Sequence, residues 1–293
     1  VWLLMTTTTI DIALARWSLK ADFWECLERA NKFLGATNLF GTSSKIAKEN
    51  GEKFWNMVIY LPPADSGGLG DLCVGRTPGC TKSCLGIGSG RMRFDKKTLE
   101  TRDFDWDQSP VQQAQIKRLT LFRTDRPAFR ARMVYELVRH VRKANRDGIL
   151  AAARLNGTSD IVWERVFPEV FKMFPEVQFY DYTKLALRTR RFAPVNYHLT
   201  FSYADGQENH DKAEEWLAAG RNVAVVFDTR KDEKLPDFFK GRPVIDADKH
   251  DRRFEDAPGT IPGLRAKGAA IGDTSGFVVQ TQNNPFVEFV AAA

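Results

Sequence analysis

Ile149-Leu-Ala-Ala-Ala-Arg-Leu155-Asn-Gly-Thr-Ser-Asp160 is an apolar run that stops abruptly in a polar, glycine-containing turn, the pattern of a buried strand followed by a loop. Upstream, Phe129, Met133, Leu137 and Val141 recur every fourth residue, which predicts a helix over Pro127–Arg146 ending at Asp147-Gly148. Downstream the same alternation repeats. A helix carrying Ile161, Trp163 and Val166 runs towards Phe174, and a strand over Val177–Asp181 leads to Tyr182-Thr-Lys184 and a short helix. A strand over Asn196–Tyr203 leads to Asp205-Gly206 and a helix over His210–Ala219, and a strand over Asn222–Phe227 leads to Asp228-Thr-Arg230. Strands separated by helices of this length are βα units with a parallel sheet, so the class is α/β. Their number predicts a TIM-barrel-like or partial (βα) barrel. An earlier strand over Phe54–Leu61 is stopped by Pro62-Pro63, and short strand-like runs follow at Pro243–Ile245, Ile261–Ala266 and Phe277–Gln280.

A chain of 293 residues, 43% of them hydrophobic, can bury a full core as one main domain. The expected division is an N-terminal helical extension over residues 1–50, carrying Trp17, Phe23, Trp24, Leu27, Ala30 and Phe33-Leu34, and a barrel-like domain over residues 51–293. Val1-Trp-Leu-Leu-Met5 is too short for a secretory core and reads as an extended reading-frame start. No apolar run is long enough for a membrane span, which predicts a cytoplasmic protein with reduced cysteines.

Three of the four cysteines lie in one glycine-rich, basic loop after the Phe54–Leu61 strand: Asp71-Leu-Cys73-Val-Gly-Arg-Thr-Pro-Gly-Cys80-Thr-Lys-Ser-Cys84-Leu-Gly-Ile-Gly-Ser-Gly-Arg91. Three thiols cannot pair off among themselves, and a metal centre explains the clustering. Pro78-Gly79 turns the chain so that Cys73 folds back, while Cys80 and Cys84 share one face of a short helical turn. The leading expectation is a 4Fe-4S cluster held by Cys73, Cys80 and Cys84, with one iron open to water or a small molecule. Zinc is the alternative, with a fourth ligand drawn from Cys26, His140, His198, His210 or His250, and an unmetallated loop is the third reading. Arg76, Lys82, Arg91 and Arg93 favour thiolates and offset the negative charge of a ligated cluster. The run Gly86-Ile-Gly88-Ser-Gly90 gives the centre room.

In parallel barrels the sites form where strands end. Arg154, Asn156, Thr158, Ser159 and Asp160 follow one strand, Asp181, Tyr182, Thr183 and Lys184 the next, Thr200, Ser202 and Tyr203 a third, and Asp228 a fourth. Arg154, Asp160 and Lys184 are the candidate catalytic groups, positioning or protonating a small molecule; Asn156, Thr158 and Ser202 are the candidate cofactor-binding groups. Local readings compete, since Thr158, Ser159 or Asp160 can cap the next helix and Asp205-Gly206 can simply turn. A second acidic stretch, Asp246-Ala-Asp248-Lys-His250-Asp251 to Asp256, has the groups for a divalent ion but reads better as a polar surface loop. The formal charge is +6, and much of the excess lies in Lys117–Arg146, where Arg123, Arg126, Arg130, Arg132, Arg139, Arg142, Lys143 and Arg146 accompany the apolar stripe. A solvated helix face accounts for them, and nucleic-acid binding is the alternative.

The wording of Cys80-Thr-Lys-Ser-Cys84-Leu-Gly, Arg154-Leu-Asn-Gly-Thr-Ser-Asp160, Phe179-Tyr-Asp-Tyr-Thr-Lys184, Asn196-Tyr-His-Leu-Thr-Phe-Ser202 and Asn222-Val-Ala-Val-Val-Phe227 resembles the bacteriophage gene-product-88 type family over about Asn38 to Val279. That resemblance implies a phage origin. More loosely, a cysteine loop after an early barrel strand is similar to radical S-adenosylmethionine enzymes, whose three-cysteine cluster binds S-adenosylmethionine at its open iron; the spacing here is x6 then x3 where that family has x3 then x2. The function expected is therefore a phage-encoded iron-sulfur protein with a redox or radical-type activity in the host cytoplasm. The alternative is a zinc-stapled module that binds nucleic acid or a host protein.

Overall fold

The computed structural model describes residues 22–42, 46–47, 50–51, 53–88 and 109–290. Val1–Met5, Trp17, Arg91, Arg93, the glycine run beyond residue 88 and the polar stretch Asp95–Gln108 lie outside the described residues. The chain forms two compact units, Val1–Asp71 with Asp105–Tyr180 and Ala193–Tyr197, and Leu72–Phe104 with Asp181–Phe192 and His198–Ala293. The fold is mixed α/β.

In the first unit, α1 (Phe23–Leu34), α2 (Pro110–Thr124) and α3 (Arg126–Arg146) pack together. The strands are β1 (Phe40–Gly41), β2 (Phe54–Ile59), β3 (Leu150–Arg154) and the first half of β4 (Gln178–Thr183). They lie in that order: β1 is antiparallel to β2, and β2, β3 and β4 are parallel. The predicted stripe Phe129, Met133, Leu137 and Val141 is fully buried, and Ala151-Ala-Ala153 keeps β3 thin where α3 crosses it. Each large apolar side chain removed from water in this way stabilises the unit by about 1.5–3 kcal/mol. Phe122, Phe129, Trp163 and Phe167 form one aromatic cluster with ring centroids 5.2–6.4 Å apart. The helix expected from Ile161 towards Phe174 is split into Trp163–Val166 and Pro168–Met173, because Pro168 has no N–H to carry the first turn into the second.

One buried ion pair joins these helices. Glu136 accepts from Arg132 and from the backbone N–H groups of Leu39 and Phe40 at 3.0 and 2.9 Å, while Arg132 also reaches Asn31 and Asn38.

In the second unit the order is β5 (Tyr197–Ser202, all but its first residue), β6 (Val223–Phe227), β9 (Ile261–Arg265), β8 (Arg242–Asp246), β7 (Phe238–Phe239) and β11 (Val287–Glu288). The pairs from β5 to β8 are parallel, and β7 and β11 are antiparallel. β5 covers β6 only at Val223 and Ala224, and β10 (Val278–Val279) takes over beside Val226 and Phe227. Helix α4 (Gln207–Ala218) packs on β6, with Trp216 fully buried.

The parallel strands expected from the sequence are therefore present, but the closed barrel is not. A barrel needs a helical crossover after every strand. After β6 the described chain has no long helix: Lys240-Gly241, with φ of +50° and +68°, turns β7 straight back into antiparallel β8. Each unit thus ends its run on antiparallel strands, β1 in one and β7 with β11 in the other.

Candidate functional site

The cysteine loop belongs to the second unit, where it is docked by a carboxylate. Thr77 stands extended before the short helix Pro78–Lys82, and its hydroxyl oxygen accepts from the Cys80 N–H at 3.1 Å, as an N-cap does. The same hydroxyl donates to Asp205 Oδ1, and the Gly79 N–H donates to Asp205 Oδ2 at 3.0 Å. Gly79 admits no side chain: a Cβ there would lie 2.3 Å from Ser275 Oγ and 2.5 Å from Asp205 Oδ1. Gly75 packs in the same way on the residue after β4, with a Cβ position 3.1 Å from the Lys184 carbonyl.

The loop rests on the carboxyl ends of two strands. Lys184 follows β4 and donates from Nζ to Ser202 Oγ, at the end of β5, at 2.7 Å. The ammonium also lies 5.8 Å from the centre of the Phe277 ring. Thr183 Oγ1 accepts from the Leu185 N–H at 3.1 Å, and the Trp216 indole donates to the Leu185 carbonyl at 3.2 Å, so α4 backs this corner. The Asp273–Phe277 turn forms the other wall. Asp273 Oδ2 accepts from Ser275 Oγ at 2.9 Å and from the Val278 N–H at 3.3 Å, while the buried Oδ1 has no hydrogen-bond partner.

Cys73, Cys80 and Cys84 are half-buried, and no cysteine is in a disulfide. Among the described residues no three Cys, His, Asp or Glu side chains are grouped so as to hold a metal ion. The expected common face of Cys80 and Cys84 is interrupted because the helix ends at Lys82, and Ser83 has φ −95° and ψ 10°. As placed, the thiols do not fit a closed ligand set.

The remaining sequence candidates lie in the first unit and form one turn after β3. Asn156 is buried: its Oδ1 accepts from Ser159 Oγ at 2.8 Å, the Ile161 N–H at 3.0 Å and the Trp163 indole at 3.0 Å. Thr158 donates to the Leu61 carbonyl, and Arg154 Nε donates to the Asn156 carbonyl at 3.2 Å. Asp160 is half-buried on the same turn. Arg154, Asn156, Thr158 and Asp160 are thus brought together, as Lys184 and Ser202 are with the cysteine loop.

Residues 27–281 match the family described as Gene product 88. The chain belongs to the bacteriophage gene product 88 family. Neither a curated protein nor a solved structure matches it. In this gene product 88 protein the acidic stretch after β8 holds its own cations: Asp248 accepts from Lys267 at 2.6 Å and Arg265 at 3.2 Å, and Asp246 accepts from Arg265 at 3.0 Å. The fully buried Arg253 pairs with Asp256 at 3.2 Å and donates to the His250 carbonyl. Burial nevertheless pushes the Asp256 carboxyl up to about 6.

Sequence reasoning took Asp205 and Gly79 for turn residues and Phe277 for the start of a strand, and passed over Asp273 and Ser275. The only signal for Asp205 was its place just past a strand end. Asp273 was not singled out although its partners Ser275 and Val278 are local, because an aspartate two residues before a serine reads as an ordinary turn.

Proposed function

We propose that the loop Cys73–Cys84 of this gene product 88 protein holds a thiolate-bound metal centre, a 4Fe-4S cluster ahead of zinc, in the reducing cytoplasm of the host. The observation that carries this reading is that three cysteines, none of them in a disulfide, lie within twelve residues on a loop held by Asp205 against the ends of β4 and β5. Thiolate sets of this kind select iron-sulfur clusters or zinc. Because the thiols stand ungrouped, loading requires residues 82–84 to rearrange while Asp205 keeps Thr77 and Gly79 in place. A bound cluster would supply electron transfer or an open iron. The chain's own residues supply the surroundings: Lys184 and Ser202 a proton-donating pair beside the loop, and Phe277 an apolar wall.

Anaerobic reconstitution with iron and sulfide, followed by an absorption spectrum and metal analysis, tests the reading. The expected protein is brown, loses iron in Cys73→Ala, Cys80→Ala and Cys84→Ala, and keeps it in Cys26→Ala, whose thiol is buried on α1 beside Arg29. Adding S-adenosylmethionine to the reduced, loaded protein and following its electron paramagnetic resonance signal tests for an open iron. Stoichiometric zinc without iron moves the assignment to the stapled-loop alternative, and a chain that takes up neither metal ends it.

A further inference from the structure

A hydroxyl fixed inside a protein usually spends its proton on an oxygen that cannot carry it away. Ser66, Thr81, Thr124, Thr158 and Thr260 follow this rule, each donating to a backbone carbonyl. Ser202 does not. Its Oγ lies 2.7 Å from Lys184 Nζ, an amine that donates to the hydroxyl when charged and can take its proton when neutral. Thr200 also meets a side-chain nitrogen, His198 Nε2 at 3.3 Å, but it is fully buried, where no substrate reaches it. Ser202 and Lys184 are each half-buried.

Both residues stand on clamped backbone. Ser202 closes β5, and the buried Asn209 of α4 donates from Nδ2 to the Ser202 carbonyl at 3.4 Å while its Oδ1 accepts from the Ala204 N–H at 2.7 Å. Lys184 follows β4, and the next residue, Leu185, is held at its N–H by Thr183 Oγ1 and at its carbonyl by the Trp216 indole. A nucleophile and a base within hydrogen-bond reach, each fixed by its surroundings, spare a reaction the entropy of bringing them together. The carboxyl ends of parallel strands are also where α/β sheets present such groups. Phe277, half-exposed with its ring centre 5.8 Å from the same Nζ, adds apolar surface beside the pair.

We propose that Ser202 and Lys184 form a nucleophile and base for acyl transfer, acting on an ester or amide with an apolar acyl group. Neutral Lys184 takes the Ser202 proton as Oγ bonds to the substrate carbonyl carbon. The bond to the leaving alcohol or amine then breaks, and that group departs with the proton from Nζ. Water completes the cycle: it gives a proton to Nζ and bonds to the acyl carbon, and Ser202 Oγ leaves as the hydroxyl by recovering that proton. The cycle uses no metal, so it stands or falls apart from the thiolate centre.

The test is labelling of the full chain, with no metal added, by an alkyl fluorophosphonate, in which Oγ bonds to phosphorus and fluoride leaves. Peptide mapping of the wild type, which needs no variant to fold, is expected to place the adduct on Ser202. The labelling rate is expected to climb with pH, about tenfold per unit while the amine is still protonated, and to fall at least about 100-fold in Lys184→Met and Lys184→Arg, both checked for an unchanged melting transition. The arginine variant separates the roles: it keeps a charged donor beside Ser202, which a merely structural hydrogen bond would tolerate, but it cannot take the proton. Hydrolysis of p-nitrophenyl butyrate, an apolar ester, is expected to be lost in the same variants and in Ser202→Ala. No adduct, an adduct on another residue, or wild-type labelling by Lys184→Arg overturns the proposal.

Discussion

Gly79 is a glycine because Asp205 and Ser275 occupy the space a side chain would need. Gly79→Ala is therefore expected to push the loop off its anchor, costing about 1–3 kcal/mol of stability. It should also raise the rate at which Cys80 reacts with a thiol reagent. Asp205→Ala removes the acceptor for both Thr77 and Gly79 and should do the same, with Asp205→Asn in between because it keeps one oxygen. Thiol-labelling kinetics beside a thermal melt decide this, and unchanged labelling in both variants would refute the anchoring role. Elsewhere in the second unit, His198 is pushed down to about 4 by burial and then by Arg221 and Arg253. The unfolded chain takes up this proton below about 6.5 and the folded chain only near 4, so the stability contributed by neutral His198 is complete above that range and lost as pH falls through it. Asp256 works in the other direction: raised from 3.8 to about 6, its contribution is complete at low pH and lost as pH rises towards 6. His198→Gln should therefore flatten the acid loss of stability and leave the Asp256 effect visible. Urea midpoints taken from about pH 4 to about pH 7 measure it, and an unaltered pH profile would sink the assignment.

The helix pair α1 and α3 is joined through a charge that nothing local could announce. The sequence reading assigns Glu136 no role, yet it is buried and engages Arg132 and the backbone of Leu39 and Phe40. Glu136→Gln leaves Arg132 buried without its counter-charge, and the expected loss is about 3–5 kcal/mol, read as a fall in the urea midpoint. A loss below about 1 kcal/mol would place the pair among ordinary surface bridges. The same element level explains why α2 escaped detection. Its inward face includes Gln112 and Gln115, which break the apolar period, and only Ser109-Pro110 marked its start, with Ser109 Oγ capping the Gln112 N–H at 3.2 Å. Helix α3 was legible because the apolar stripe Phe129, Met133, Leu137 and Val141 runs unbroken along its inward face, beside the buried Arg132 and Glu136.

At the scale of the molecule, the tail is part of the second sheet, since β10 occupies the edge of β6 that β5 leaves open beyond Ala224. Val278→Asp would place a carboxylate at a buried position on that edge, and a loss of about 2–4 kcal/mol is expected in equilibrium unfolding. Indifference to this change would mean that β10 adds little to the unit. The residues around β2 to β6 determined their own class: apolar runs of strand length, each closed by a polar turn and most followed by a helical period, suit only parallel strands. Strand positions read from Phe54, Ile149, Val177, Asn196 and Asn222 onward therefore fall within a residue or two of those observed. Closure could not be read that way. Whether such strands form a ring or an open run depends on which edges meet, and two-residue strands such as β7, β10 and β11 acquire their pairing from the sheet already in place. The site divides along the same line. The three cysteines and the gene product 88 wording lie in contiguous sequence and were legible there, whereas the hold of Asp205 on Gly79, 126 residues away, exists only after the strands bring the two loops together. Local pattern records which side chains must leave water; partners distant in the chain are chosen by packing, and packing is a property of the folded whole.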